Sequence, residues 1–157
     1  MVTLCSSWTI ERFIIEELKH TVFLGLGTNL GNREENIRRA IELIGERVGN
    51  VERQSSLCET EPWGFRSENL FLNAVVMVKT QLSPTELLET TQGIERDMGR
   101  KPNLSPGQYH DRPIDIDILL YDDITIDMPN LKIPHPLMKE RDFVMIPLRE
   151  VLGEEAK

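Results

Sequence analysis

Two aspartates, Asp115 and Asp117, stand two residues apart inside the otherwise apolar run from Ile114 to Tyr121. In an extended chain successive side chains alternate between faces. The pair then projects beside Leu119 and Tyr121, while Ile114, Ile116, Ile118 and Leu120 occupy the other face. Carboxylates held that close repel, and both stay ionised only with a cationic neighbour. A divalent cation meets the need: magnesium takes carboxylate and phosphate oxygens, and a pair on one strand face holds one ion or bridges two. The alternative is a strand at a sheet rim whose aspartates meet water or arginine.

Cationic side chains flank the pair. Arg96, Arg100, Lys101, His110 and Arg112 precede it, and His135 and Arg141 follow. An arginine fork matches phosphate oxygens, and metal plus arginine neutralises a polyphosphate during transfer. For Arg96 and Lys101 a charged solvated loop is the plainer reading, which is less attractive for Arg112 beside the apolar strand. Asn73, inside LFLNAVVMV, alternates with Phe71 and Val75, which puts an amide and an aromatic ring on one strand face. A planar heterocycle rich in donors and acceptors suits them, the amide reading its edge and aromatics such as Phe71 and Phe143 covering its faces. A core Phe beside a backbone-bonded Asn is the plainer reading. Gln92 and Glu95, three apart, share a helix face.

The elements that must position these residues are legible. TVFLGLG from Thr21 reads as a strand entering a tight turn, and the glycines of GLGTNLG (25–31) permit close backbone approach and could present amides to a ligand. The stretch lacks both the dinucleotide fingerprint and a Walker A ending. Asn32 and Glu35 have capping-box spacing ahead of a stripe at Ile37, Ala40, Ile41, Ile44 and Val48, stopped by Gly49 and Asn50. Val51 to Cys58 reads as a strand, LFLNAVVMVKT as a second, and SPTE opens a helix running to Met98. A polar loop, RKPNLSPGQYHDRP, precedes the aspartate strand. ITID reads as that strand's hairpin partner, and the tail from Ile133 as turns and short helices packed on the sheet. The order strand, helix, strand, strand, helix, strand predicts a ferredoxin-like α/β sandwich with a mainly antiparallel sheet.

The 157 residues suffice for one substantial core, and 39% hydrophobic with 28% charged residues is ordinary for a globular domain. We expect a single domain over 21–157, preceded by an N-terminal extension over 1–20 with Ile10, Phe13, Ile14 and Leu18 at helical spacing. The net charge of −8 argues against a general nucleic-acid binder, yet leaves room for one basic pocket. Cys5 and Cys58 form neither a metal motif nor a disulfide framework, so a cytoplasmic setting is expected. The opening residues do not resemble a secretory signal, and no run reaches the roughly 18 apolar residues of a membrane span.

Taken together, GLGTNLGNR, TEPWG, FLNAV, QGIERDMGR, DRPIDIDILLYDD and PHPLMKERDFVMIPL, in that order between Thr21 and Leu152, resemble the 6-hydroxymethyl-7,8-dihydropterin pyrophosphokinase family of folate biosynthesis. The resemblance implies a ferredoxin-like fold and transfer of diphosphate from ATP to the pterin hydroxymethyl oxygen, releasing AMP. It implies that Asp115 and Asp117 hold two magnesium ions. Gln92, Glu95, Arg100, Arg112, His135 and Arg141 correspond to the ATP pocket, with Arg112 also in the catalytic set. Thr60, Pro62, Trp63, Gly64, Phe71, Asn73 and Phe143 correspond to the pterin pocket. The chain departs from the family at Tyr109, His110 and Asp111, where Trp-Gly-Pro is common, and in lacking further loop arginines; Tyr109 is expected to keep the aromatic packing role. Other readings of the residues alone are a small-ligand binding or regulatory module, and a different metal-dependent nucleotidyl or glycosyl transferase. Of these, only the transferases account for an aspartate pair among arginines.

Overall fold

The computed structural model describes residues 19–61, 68–99 and 112–153. Strand β1 (His20–Thr28) ends in a turn at Gly31, whose φ of 66° lies in the left-handed region that a Cβ disfavours. Asn32 then caps helix α1 (Arg33–Arg47), its side chain accepting from the Glu35 amide at 3.1 Å. The Glu35 carboxylate pairs with Arg38. Ile37, Ala40, Leu43 and Ile44 form the buried stripe of this helix.

Gly49, expected to stop the helix, is instead the first residue of β2 (Gly49–Gln54). Its role is close approach between strands, because a Cβ there would lie 2.0 Å from the Lys79 carbonyl oxygen. The strand expected from Val51 to Cys58 is broken in two, with β3 confined to Cys58–Thr60. The break is at Ser55, whose amide donates to the Val75 carbonyl at 2.9 Å while its hydroxyl accepts from the Val75 amide at 2.8 Å. A side chain thus replaces one rung of the ladder. Strand β4 (Phe71–Thr80) is almost wholly buried. Helix α2 (Pro84–Asp97) opens with the expected box: Ser83 accepts from the Glu86 amide, and the Glu86 carboxylate accepts from the Ser83 amide.

Strand β5 (Asp115–Tyr121) pairs with β1, and the sheet order is β2-β4-β1-β5, with β3 also on β4. Every pairing is antiparallel. This is the expected ferredoxin-like α/β sandwich. The strands β6 (Ile126–Met128) and β7 (Leu131–Ile133) form their own hairpin. The segment expected to pair with β5 therefore pairs with β7. A 3-10 turn (Met138–Glu140) precedes helix α3 (Asp142–Leu152).

The larger core lies between the sheet and helices α1 and α2, where Leu24, Val76, Ile44, Leu87 and Ile94 are fully covered. Each such side chain contributes roughly 1.5–3 kcal/mol of transfer free energy. The other sheet face packs Phe23, Val75 and Leu119 against Val144, Leu148 and Val151 of α3. Strict alternation along β5 fails partway. Leu24 faces Ile118 but Phe23 faces Leu120, so a bulge accommodates Leu119. Beyond it, Leu120 packs with Leu119 on the α3 side, and Tyr121 joins the helix-side core, its hydroxyl donating to the Leu82 carbonyl at 2.6 Å. Leu120 and Tyr121 thus exchange the faces that simple periodicity assigns them. Among the described residues no helix is long and apolar enough to cross a membrane.

Candidate active site

The α3-side face of the sheet is not covered along its whole length, and the remaining space is a cavity of about 320 Å³. Its floor follows from the register. Asp115 stands opposite Gly27, which stands opposite Asn73; Asp117 stands opposite Gly25, which stands opposite Val75. Residues opposite one another in antiparallel strands share a face. Both aspartates therefore look across bare backbone toward Asn73 and Val75, and all six residues line the cavity.

Gly25 and Gly27, read as the end of a strand that permits close backbone approach or presents amides to a ligand, lie within β1 and pair on both sides. Their contribution is space: a Cβ on Gly27 would come within 3.2 Å of Asn73 Oδ1 and 3.6 Å of the Phe71 ring. Asn73 is held from the other side, its Nδ2 donating to Thr60 Oγ1 at 2.8 Å and to the Cys58 carbonyl at 3.2 Å. With the amide nitrogen so engaged, Oδ1 is the atom turned toward Gly27.

The opposite wall comes from the segment leading into α3. His135, Pro136, Leu137, Arg141, Phe143 and Val144 line it, and Thr60, Glu61 and Phe71 close one end. Arg112 and Arg141 are both buried, with exposures of 7% and 8%, and each lies against an aromatic ring. The Arg112 guanidinium carbon is 5.4 Å from the Phe71 ring centroid, and that of Arg141 is 5.7 Å from Phe143. Arg112 Nη1 also lies 3.9 Å from Asp115 Oδ2.

Electrostatics at the carboxylates are dominated by burial. Asp117 is partly exposed to the cavity, yet desolvation by the surrounding protein, followed by repulsion from Asp115, pushes its pKa up to about 8. Arg141 opposes the shift, Glu95 adds to it, and Arg112 opposes it more weakly. His135 moves below its ordinary value, mainly through burial and then the Arg141 charge, with Asp115 opposing. Its Nδ1 accepts from the Leu137 amide at 3.3 Å, which assigns the proton of the neutral ring to Nε2. His135 is therefore a neutral hydrogen-bond donor.

Gln92 and Glu95 are not in the cavity wall. Gln92 is exposed on α2, and Glu95 Oε2 accepts from the Ile116 amide at 2.8 Å, on the edge of β5 that β1 leaves open. The sequence-predicted Pro62, Trp63, Gly64 and Arg100, together with Lys101, Tyr109, His110 and Asp111, lie outside the described residues. Sequence reasoning missed Glu61, next to the motif threonine, and Asn29, whose contacts are considered below. Periodicity carries no signal for either, because both lie just beyond a strand end.

Among the described residues no cluster of three or more His, Cys, Asp or Glu side chains is placed to hold a metal. Two carboxylates on one face still fit magnesium, which keeps several waters and completes its shell with substrate phosphates.

The fold and cavity define a ferredoxin-like α/β domain with a paired-carboxylate, arginine-lined cavity. Comparison with known proteins narrows the class. The model of the family described as 7,8-dihydro-6-hydroxymethylpterin-pyrophosphokinase (HPPK) matches residues 23–153. The chain is similar to the 2-amino-4-hydroxy-6-hydroxymethyldihydropteridine pyrophosphokinase of Porphyromonas gingivalis, 49% identical over 131 residues that cover 83% of this chain and 89% of that one. It is 44% identical to the protein of the same name from Aquifex aeolicus, over 83% of this chain and 79% of the relative. A mitochondrial folate synthesis bifunctional protein of Arabidopsis thaliana is 43% identical over 94% of this chain, which spans 26% of that protein.

Solved structures share the fold. An HPPK-DHPS in complex with substrates aligns with a TM-score of 0.70 at 15% identity, over 88% of this chain and 41% of that one. Wild-type Plasmodium falciparum HPPK-DHPS aligns with a TM-score of 0.66 at 17% identity, over 83% of this chain and 41% of that one. The chain thus spans about two fifths of those larger proteins. It belongs to the 7,8-dihydro-6-hydroxymethylpterin-pyrophosphokinase family.

Proposed function

We propose that this chain transfers diphosphate from ATP to the hydroxymethyl oxygen of 6-hydroxymethyl-7,8-dihydropterin, giving the pterin diphosphate and AMP, with the cavity described above as the place of reaction. The observation that carries the reading is the row Asp115, Gly27, Asn73 across the sheet. It sets a carboxylate and an amide on one face with no side chain between them, which suits a phosphate donor beside a heterocycle.

The pterin ring lies between Phe71 and Phe143, its edge read by Asn73 Oδ1 and Thr60; the family resemblance assigns Pro62, Trp63 and Gly64 to the same ligand. Asn73 Oδ1 and Glu61 make this end rich in acceptors, which suits the amino and ring N–H groups of a pterin. ATP runs from the carboxylates toward the open edge of β5, where Glu95 sits, with Gln92 three residues before it on α2. Arg112, Arg141 and Arg100 meet the phosphates, and His135 donates through Nε2–H.

Asp115 and Asp117 would hold magnesium, which when bound neutralises phosphate charge and polarises the phosphoryl group under attack. Arg112 and Arg141 need little reorganisation to face the growing charge, because their aromatic neighbours already fix them. No side chain is assigned as a dedicated base, and the residues act by bringing the hydroxymethyl oxygen and the β-phosphorus together. We also place the reaction in the cytoplasm, on the reduced-cysteine argument.

Incubation with the hydroxymethyl-dihydropterin, ATP and magnesium tests this reading. AMP and pterin diphosphate should form in equal amounts. ADP as the product would assign a different transfer, and binding of both ligands without turnover would assign a binding module.

A further inference from the structure

Asn29 is 2% exposed and stands one residue beyond the end of β1. Its backbone amide donates to the Arg112 carbonyl at 3.1 Å, and its Oδ1 accepts from the Arg112 amide at 2.7 Å. Asn29 thus continues the β1–β5 association past the start of the ladder, its backbone amide taking the Arg112 carbonyl and its side chain the Arg112 N–H. In the other direction Asn29 Nδ2 donates to the Asn69 carbonyl at 3.4 Å, two residues before Phe71.

The asparagine is itself held in place. Asn36 Nδ2, on α1, donates to Thr28 Oγ1 at 3.1 Å and to the Leu30 carbonyl at 2.8 Å, tying down the residues on both sides of Asn29. Arg33 reinforces the same corner by donating to the Leu70 carbonyl at 2.9 Å. The two segments that meet at Asn29 also meet in the cavity, where the Arg112 guanidinium lies over the Phe71 ring.

We propose that Asn29 is a positioning residue: by bonding the backbones at Arg112 and Asn69 from one buried amide, it fixes the arginine on the phosphate side relative to the aromatic on the pterin side. This rests on the reading of the cavity given above. A carboxamide suits the position, since one end must accept from an N–H and the other must donate to a C=O. Asn29 touches neither reacting group and acts through Arg112 and Phe71.

The two ends separate by substitution. Asn29→Ala removes the side-chain bonds to Arg112 and Asn69 but keeps the backbone bond to Arg112, so the fold should persist. Asn29→Asp keeps an acceptor for the Arg112 amide and sets an oxygen against the Asn69 carbonyl. Kinetics for each substrate are measured well below the melting temperature of every variant. Asn29→Ala should lower kcat/KM for both ATP and pterin by roughly tenfold or more. Asn29→Asp should recover the ATP side to within about threefold of wild type while leaving the pterin side impaired.

Unchanged kinetics in Asn29→Ala, or equal losses on both sides in Asn29→Asp, would overturn the proposal. If the alanine variant does not fold, the asymmetry in Asn29→Asp decides alone. Wild-type protein that binds both substrates without producing AMP would instead overturn the reading of the cavity, leaving a distinct signature.

Discussion

Gly27 stands directly opposite Asp115 in the β1–β5 ladder, on the sheet face that looks into the cavity. The carboxylate is therefore one strand away from Asn73 with nothing between them but backbone. The missing side chain is as much a part of the site as the aspartate.

Substituting Gly27 by alanine tests this. The new Cβ would press on Asn73 Oδ1 at 3.2 Å, while α1 and its core are untouched. We expect the pterin KM to rise roughly tenfold or more with a smaller change for ATP, and the melting temperature to stay close to wild type. Steady-state kinetics with each substrate varied in turn read the difference. Equal effects on both substrates would remove the steric assignment.

Gly49→Ala should behave in the opposite way. Its Cβ would lie 2.0 Å from the Lys79 carbonyl oxygen, which is backbone and cannot swing aside. The strands must separate, at a cost of about 2 kcal/mol or more. The predicted outcome is a clear fall in melting temperature with near-normal activity per folded molecule. A stable variant that has lost turnover would contradict it.

Asp117 should make the stability of the metal-free protein depend on pH. Burial and Asp115 raise its folded pKa to about 8, whereas the unfolded chain ionises near its ordinary value of 3.8. Between those values the folded chain binds more protons than the unfolded one, so stability falls as pH rises from about 4 to about 8. Thermal melts in chelator should show this fall, and Asp117→Asn should flatten it. Magnesium should counter it, since a cation favours the ionised pair. Parallel profiles for wild type and Asp117→Asn would exclude the aspartate as the cause.

Much of this arrangement was legible in the sequence because it rests on local rules. Ser83, Pro84 and Glu86 declared a capped helix, and alternation placed Phe71, Asn73 and Val75 on one face, as the register bears out. The resemblance to a known family supplied the fold and the reaction class, which the family match supports. The failures came where non-local contacts outweigh local pattern. Ser55 replaces a ladder rung with its own hydroxyl, so a single expected strand became two. The bulge at Leu119 moved Leu120 and Tyr121 to opposite faces, and no period of two can foretell where a ladder slips. Asn29 is bonded to residues 40 and 83 positions away, a relationship with no trace in spacing along the chain.

The central claim is that Asp115 and Asp117 carry the diphosphate transfer, and product analysis on the folded single variants tests it most directly. Wild type should release AMP and pterin diphosphate together in magnesium. Asp115→Ala and Asp117→Ala should each lose at least about a hundredfold in turnover while retaining the wild-type circular dichroism spectrum. Near-normal AMP production in both variants would contradict the account.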